Sequence, residues 1–428
     1  MDVFASEIQR YMESTRWLLL KGHGDDMIMS LLNVLGIRKA GPWWAISFIA
    51  AALCAPFSLH AQAKSAGKVN FVIRTDPKFD VYLNSPSMDQ KQWFQTNVWR
   101  MMVYSPFFDQ KLSWYSDGWA YINLYGLHSD SFVVTQHPEW LLRDSRNNLL
   151  YIPYACANGS CPLYAADMSN PDYRAYWISR ARELVAKGYR GLWIDDVNLE
   201  FRVSDGLGKQ AAPVESSTKR TLTFEAWKEN VAQFCEEIRA AFPDIEILHN
   251  SIWYAGGPSR DSDPSVAREL RAADYINLER GVADRGLTGG DGEWSLDAFM
   301  RYIDRLHAQG KAVIIDNTDS FGDYGLAAYY LISSGRDGLG GHDIAPDNWP
   351  AALDIDLGAP LGPRSRVGGV FRREFERGVV VLNEPRAQPA TVPTCHVCLG
   401  MDRRPTSAVR LMAGQAAILM RGNTRSAP

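Results

Sequence analysis

Two short stretches of this chain end apolar runs in carboxylates. Gly191-Leu192-Trp193-Ile194 leads into Asp195-Asp196-Val197-Asn198, and Tyr275-Ile276-Asn277-Leu278 leads into Glu279. An apolar run of four or five residues reads as a strand covered on both faces. When strands alternate with helices, acids at strand C-terminal ends are where catalytic groups collect. Two carboxylates flanking one cleft are the minimum equipment for glycosidic bond cleavage, one as nucleophile or base and the other as proton donor. The donor needs a raised pKa, from burial or from its partner's charge. Asp195 stops the strand and is expected to face the mouth. Asp196 and Asn198 are expected to orient it or to bind sugar hydroxyls, because neighbouring strand residues point to opposite faces. The competing readings are a capping role for either aspartate and a surface pair of Glu279 with Arg280 or Arg285.

Polar residues sit at nearly every other predicted strand end. Arg74 and Asp76 follow the first strand and Tyr104 ends the second. Asn123 and His128 lie around the end of the third, His249 and Asn250 end the fifth, and Trp253 lies just beyond. Asp316 and Asn317 end the seventh, and His342 and Asp343 follow the eighth. Such side chains suit sugar hydroxyls. Loop and strand-end aromatics, Trp114, Tyr115, Trp119, Tyr254 and Trp294 as well as Trp253, are candidates for stacking on pyranose faces. No HxH or HExxH spacing supports a metal site built on His249, His342, Asp195 and Asp316, and hydrolysis needs no cofactor. No Gly-x-Ser-x-Gly elbow is present.

The elements that would position these residues alternate. Strands are predicted at 69–73, 99–104, 120–125, 191–195, 246–250, 275–279, 312–316 and 338–340. Between them, Asn170-Pro171-Asp172 opens a helix with Tyr173, Tyr176, Trp177, Ala181, Leu184 and Val185 on one face, closed by Gly188. Phe224, Trp227, Val231, Phe234 and Ile238 repeat the pattern. Ser295 opens a third helix, which Gly310 closes. Eight strands with intervening helices predict a (β/α)8 TIM barrel over residues 64–362. An open doubly wound sheet would want a glycine-rich phosphate loop after the first strand, and none is there. After Pro363 short strands are predicted at 367–371, 378–382, 408–411 and 416–420, a small antiparallel β domain over 363–428. Residues 207–218 read as a mobile loop.

With 428 residues, 46% of them hydrophobic, the chain can bury a large core. A net charge of -4 without a basic run excludes nucleic acid as a natural partner. Arg38 and Lys39, the apolar run 43–59 and Ala61-Gln62-Ala63 read as a signal peptide within an N-terminal extension over 1–63, with Met29 as well as Met1 a candidate start. Cleavage after Ala63 would make the protein secreted or periplasmic; an uncleaved segment would anchor it, the one expected link to a membrane. Export admits disulfides. Cys156 and Cys161 bracket a turn-rich loop they could staple, Cys395 and Cys398 are a disulfide or two thiols, and Cys235 reads as a buried apolar residue.

The stretch Gly188–Asp196, with Ala166–Arg174, Leu248-His249-Asn250 and Ile276–Glu279, resembles TIM-barrel glycoside hydrolases related to the α-galactosidase and polygalactosaminidase groups. More narrowly, the chain resembles hypothetical glycosyl hydrolase family 15. The tail Phe375–Asn383 resembles the small β domain that follows such barrels. The resemblance covers about residues 69–420 and implies Asp195 as nucleophile or its equivalent and Glu279 as acid/base. The α-galactosidases use aspartate at both positions, so Glu279 departs from them and agrees with the polygalactosaminidase pattern. The expected partner is a polysaccharide or oligosaccharide. A carbohydrate-binding barrel without catalysis and a transglycosylase of exopolysaccharide processing are the alternatives.

Overall fold

The computed structural model describes residues 65–75, 80–215, 218–251, 263–283, 286–316, 322–341, 344–400 and 404–422. The N-terminal extension and predicted signal segment lie outside them. No helix among the described residues is long and apolar enough to cross a membrane.

Eight parallel strands close into a barrel. They are β1 Phe71–Arg74, β2 Val98–Val103, β3 Gly118–Asn123, β4 Gly191–Val197, β5 Glu246–Ser251, β6 Tyr275–Glu279, β7 Ala312–Asp316 and β8 Gly338–Gly341. The helices that pack outside include α1 Met88–Asn97, α2 Pro171–Ala186, α3 Phe224–Ala241, α4 Pro264–Ala272, α5 Leu296–Ala308 and α6 Asp323–Ile332. The fold is the expected α/β barrel, and each predicted strand lies within two or three residues of the observed one.

Period-two alternation divides the core. Outward strand residues such as Ile73, Ala120, Ile194, Ile276 and Ile315 join the helix faces in one large apolar cluster. Inward residues form a second, aromatic cluster of Val72, Trp99, Met102, Trp119, Trp193, Leu248, Tyr275, Ala312 and Ile314. This filled interior makes the barrel a packed core, with room for chemistry only at its ends. Trp119, expected as a rim aromatic, is fully buried in it. Tyr115 is also buried, donating its hydroxyl to the Val98 carbonyl at 3.1 Å.

Two helices also set the strand ends. The Asn170 side chain accepts from the amides of Asp172 and Tyr173 and starts α2. From its buried face Trp177 Nε1 donates to the Asn123 carbonyl at 2.8 Å, and the Tyr173 hydroxyl donates to Leu124 at 2.9 Å. From α3, Trp227 Nε1 donates to the Asn198 carbonyl at 2.9 Å. The helices therefore satisfy buried backbone acceptors just where β3 and β4 stop.

A six-stranded antiparallel sheet follows: β9 Ser365–Val367, β10 Val370–Phe375, β11 Gly378–Leu382, β12 Ala390–Leu399, β13 Pro405–Leu411 and β14 Ala416–Arg421, in spatial order 9-10-11-14-12-13. Two corrections arise here. The predicted strand 367–371 is split by Gly368 and Gly369, both at positive φ. The strand β12 was missed because Pro393 and the two cysteines interrupt its alternation. Cys395 and Cys398 are disulfide-bonded within it. Arg373 ties the sheet to the barrel by donating to the carbonyls of Tyr330 and Ser333 at the end of α6, both at 2.9 Å. Within the predicted mobile loop 207–218, Gln210 bridges Ser204, and Val214 bridges Arg143 and Thr221. Cys235 is buried and unbonded.

Candidate active site

Continuing the inward alternation by two residues, from the aromatic floor toward the strand C-termini, gives the mouth. Val72 is followed by Arg74, Met102 by Tyr104, and Trp119 by Tyr121 and Asn123. Trp193 is followed by Asp195, Leu248 by Asn250, Tyr275 by Asn277 and Glu279, and Ile314 by Asp316. On β8 the corresponding residue is Gly340, where a Cβ would come within 3.1 Å of the Asp316 carboxylate. A glycine there leaves room for the Asp316 side chain, which fills that side of the mouth.

Hydrogen bonds join four strands in an arc. The Tyr121 hydroxyl donates to Asp195 Oδ2 at 2.9 Å, Asn250 Nδ2 donates to Asp195 Oδ1 at 2.7 Å, and Asn277 Nδ2 donates to Asn250 Oδ1 at 3.0 Å. Burial, reinforced by the charge of Asp195, holds the Tyr121 phenol well above its ordinary range, so it stays a donor. Asp195 is thus fixed on both oxygens by neutral donors, which orient a carboxylate without cancelling its charge.

Asp196 does not simply point to the opposite face. The β4–β5 register slips between Ile194 and Val197, the mark of a β-bulge, and Asp196 has φ 56°. The turn aims its amide back, donating to Asp195 Oδ1 at 2.9 Å. Its own carboxylate is buried. It accepts from Asn123 Nδ2 at 2.7 Å and Asn198 Nδ2 at 3.3 Å, and pairs with Arg202 at 3.0 Å. Burial pushes Asp196 up to about 6; the Asp195 charge adds to this, and Arg202 and Asn123 oppose it. The ends of β4 and β6, parallel strands of one closed barrel, open on the same mouth.

Glu279 is half exposed and accepts from Arg74 Nη1 at 3.2 Å; the same nitrogen reaches Asp316 Oδ2 at 3.4 Å. The partner of Glu279 is therefore Arg74, across the barrel. Burial opposes, yet Asp316 and Glu279 together hold the Arg74 guanidinium firmly charged. Directly after Glu279, Arg280 has φ 69°. Both carboxylate-bearing ends are followed by a non-glycine residue in the left-handed region, a conformation that costs energy and clusters at functional sites. Tyr104, partly exposed, packs on Tyr121 with ring centroids 4.9 Å apart.

The structure thus gathers Asp195, Asp196, Glu279, Tyr104, Asn123, Asn198, Asn250 and Asp316 around one end of the barrel. His249 is a correction. Alternation turns it toward the helices, where it is fully buried and bonded through Nδ1 to Glu269 on α4 at 2.7 Å. His128 is exposed on a two-stranded ladder, Gly126–His128 with Leu163–Ala165, that follows β3. Asp76, Trp253, Tyr254, Asn317, His342 and Asp343 lie outside the described residues. Cys156 and Cys161 are disulfide-bonded. Sequence reading missed Tyr121 and Asn277. Their signal was present, since each shares parity with an inward neighbour, Tyr121 with Asn123 and Asn277 with Glu279.

A family model described as hypothetical glycosyl hydrolase family 15 matches residues 107–379. Similar solved structures include the glycoside hydrolase domain of PelA from Pseudomonas aeruginosa, at 17% identity over 67% of this chain and 96% of that one, with a TM-score of 0.38. The GH36 α-galactosidase AgaA from Geobacillus stearothermophilus in complex with stachyose is 10% identical over 84% of this chain and 56% of that one, with a TM-score of 0.43. An α-galactosidase from Lactobacillus brevis is 11% identical over the same shares, 84% and 56%, with a TM-score of 0.45. No curated protein matches the chain.

Proposed function

The chain belongs to hypothetical glycosyl hydrolase family 15, and from that premise we propose that it is an exported glycoside hydrolase acting on a polysaccharide or oligosaccharide. The observation that carries the reading is the pairing at the mouth. Asp195, two residues before the end of β4, and Glu279, the last residue of β6, lie at the same end of the barrel, each followed by a non-glycine residue in the left-handed region. Asp195 is the nucleophile or base, held by Tyr121 and Asn250. Glu279, exposed enough to meet a leaving group, is the acid/base, with Arg74 oriented beside it. Asp196 is a positioning residue, its side chain anchored by Asn123, Asn198 and Arg202 and its amide supporting Asp195.

The carboxyl of Glu279 protonates the glycosidic oxygen as the bond breaks, while positive charge develops on the sugar ring. The Asp195 carboxylate answers that charge, either bonding to the anomeric carbon or activating a water. The Tyr121 and Asn250 donors hold it aimed while this happens, so no reorganisation accompanies the charge change. Export rests on the basic, apolar and Ala61-Gln62-Ala63 pattern ahead of the barrel.

The test is reducing-end release from a polysaccharide panel by the wild type, Asp195→Asn and Glu279→Gln. Acid–base assistance is worth roughly 10²–10⁴-fold, so each variant is expected to lose at least that much. Sugar binding without turnover in all three proteins would replace the reading with a carbohydrate-binding barrel.

A further inference from the structure

After β3 the chain makes a long excursion from the mouth before entering α2, and one side chain on it stands out. Tyr154 is 61% exposed, although its neighbours Tyr151 and Ile152 are buried. An aromatic ring is costly to present to water, and the backbone around Tyr154 is built to present it. Tyr151 exchanges backbone hydrogen bonds with Ser204, at 2.9 and 2.8 Å, and the Ile152 amide donates to Leu163 at 3.0 Å. Tyr151 also stacks on Tyr164, with centroids 4.9 Å apart. Immediately after Tyr154, Ala155 takes the left-handed conformation, φ 47°, which a non-glycine residue adopts at a cost. The Cys156–Cys161 disulfide then closes the tip.

This tip is locked to the loop that follows the Asp195–Asp196 bulge. A Cβ on Gly206 would fall 1.8 Å from the Gly159 carbonyl, so the two backbones are in direct contact there. Gly208 lies against Cys156. The excursion from β3 and the loop from β4 are therefore one wall. The wall reaches the mouth through Arg202, which lies two residues before Ser204, the backbone partner of Tyr151, and pairs with Asp196 at 3.0 Å. Tyr104 packs on Tyr121, and Tyr121 holds Asp195. Two tyrosines thus line the way from the mouth to the carboxylate.

We propose that this disulfide-stapled wall is an outer sugar subsite, in which a pyranose ring of a chain substrate stacks on Tyr154 while a neighbouring ring is cleaved at Asp195. Aromatic faces suit the apolar faces of sugar rings, and a rigid loop loses little entropy when the ring docks. The subsite selects long substrates over short ones. It rests on the glycosidase reading given above.

The full-length protein, Tyr154→Ala, Tyr154→Phe and Cys156→Ser/Cys161→Ser are assayed on oligosaccharides of two to six rings, prepared from whichever polysaccharide the wild type cleaves. Tyr154→Ala should lower the ratio of kcat/KM on the longest to that on the shortest by about tenfold, the size of one lost stacking contact. Tyr154→Phe should restore the ratio, because the ring and not the hydroxyl makes the contact; a purely structural role for the hydroxyl would not be rescued. The double serine variant should lower it in the same sense. An active wild type whose length preference is the same in all variants would overturn the subsite and leave the glycosidase reading intact. A wild type inactive on every polysaccharide would overturn both.

Discussion

The two ends of the barrel each hold a largely buried carboxylate, and the two are treated in opposite ways. At the N-terminal end Glu246 opens β5 and receives Arg100 in a fork at 2.9 and 2.8 Å, Arg190 at 3.1 Å and Trp119 Nε1 at 2.7 Å. Burial pushes Glu246 up, yet the Arg100 hydrogen bonds and charge win and hold it below the usual glutamate range. At the C-terminal end Asp196 has one partly exposed arginine and a second aspartate beside it, and it is pushed up to about 6. An acid surrounded by fixed cations is a structural plug, locked in one charge state. An acid left near neutrality beside another acid belongs to a group whose charge can change. Neighbouring strands carry the two, and the mouth keeps the strain, with left-handed residues after Asp195 and Glu279.

Removing the plug should have the largest effect on stability. Glu246→Ala leaves Arg100 buried without its main partner and should cost about 3–5 kcal/mol, measured by denaturant unfolding. A loss under 1 kcal/mol would break the contrast between the two ends. Trp193→Ala, in the floor directly beneath Asp195, should cost a similar 3–5 kcal/mol through the cavity it leaves, and should lower activity by loosening the mouth.

Asp196 sharpens the comparison through pH. Its folded pKa lies above the ordinary aspartate value, so the folded state holds the proton more tightly. Its contribution favours folding at low pH and is lost as pH rises from about 4 through about 6. At roughly 1.4 kcal/mol per pKa unit, the loss is on the order of 3 kcal/mol. Asp196→Asn should flatten this fall when unfolding is followed from pH 4 to 7.5. An unchanged pH dependence would place the proton elsewhere. Below about pH 6 the wild type should lose kcat/KM as Asp196 takes a proton and weakens its hold on Arg202, Asn123 and Asn198; that limb should be absent from the variant. The smallest effect is expected at the helix prop. Trp177→Phe deletes one buried hydrogen bond to the Asn123 carbonyl and should cost about 1 kcal/mol, with a modest fall in activity.

Much of this was legible in the residues because alternation and apolar runs are local signals. Asp195 and Glu279 were found as acids stopping apolar runs, and the same rule found Tyr104, Asn250 and Asp316. The rule also misled. His249 and Asn250 are adjacent, so a regular strand can turn only one inward, and Leu248 beneath Asn250 decides which. The opposite failure occurred at Asp195 and Asp196. There alternation separates the side chains, but a one-residue bulge brings the Asp196 amide onto Asp195, and no local pattern announces a bulge between two aspartates. Glu279 was weighed against its sequence neighbours Arg280 and Arg285, whereas it pairs with Arg74, 205 residues away. Such contacts depend on barrel closure, which is a property of the whole chain.

The central claim is tested most directly by placing Asp195→Asn beside the wild type in a reducing-end assay, with thermal unfolding of both proteins. The account predicts turnover that falls by at least about 10²-fold in the variant while the melting temperature stays close to that of the wild type, since Asn retains the volume at the mouth. Undiminished turnover in a well-folded variant would contradict it.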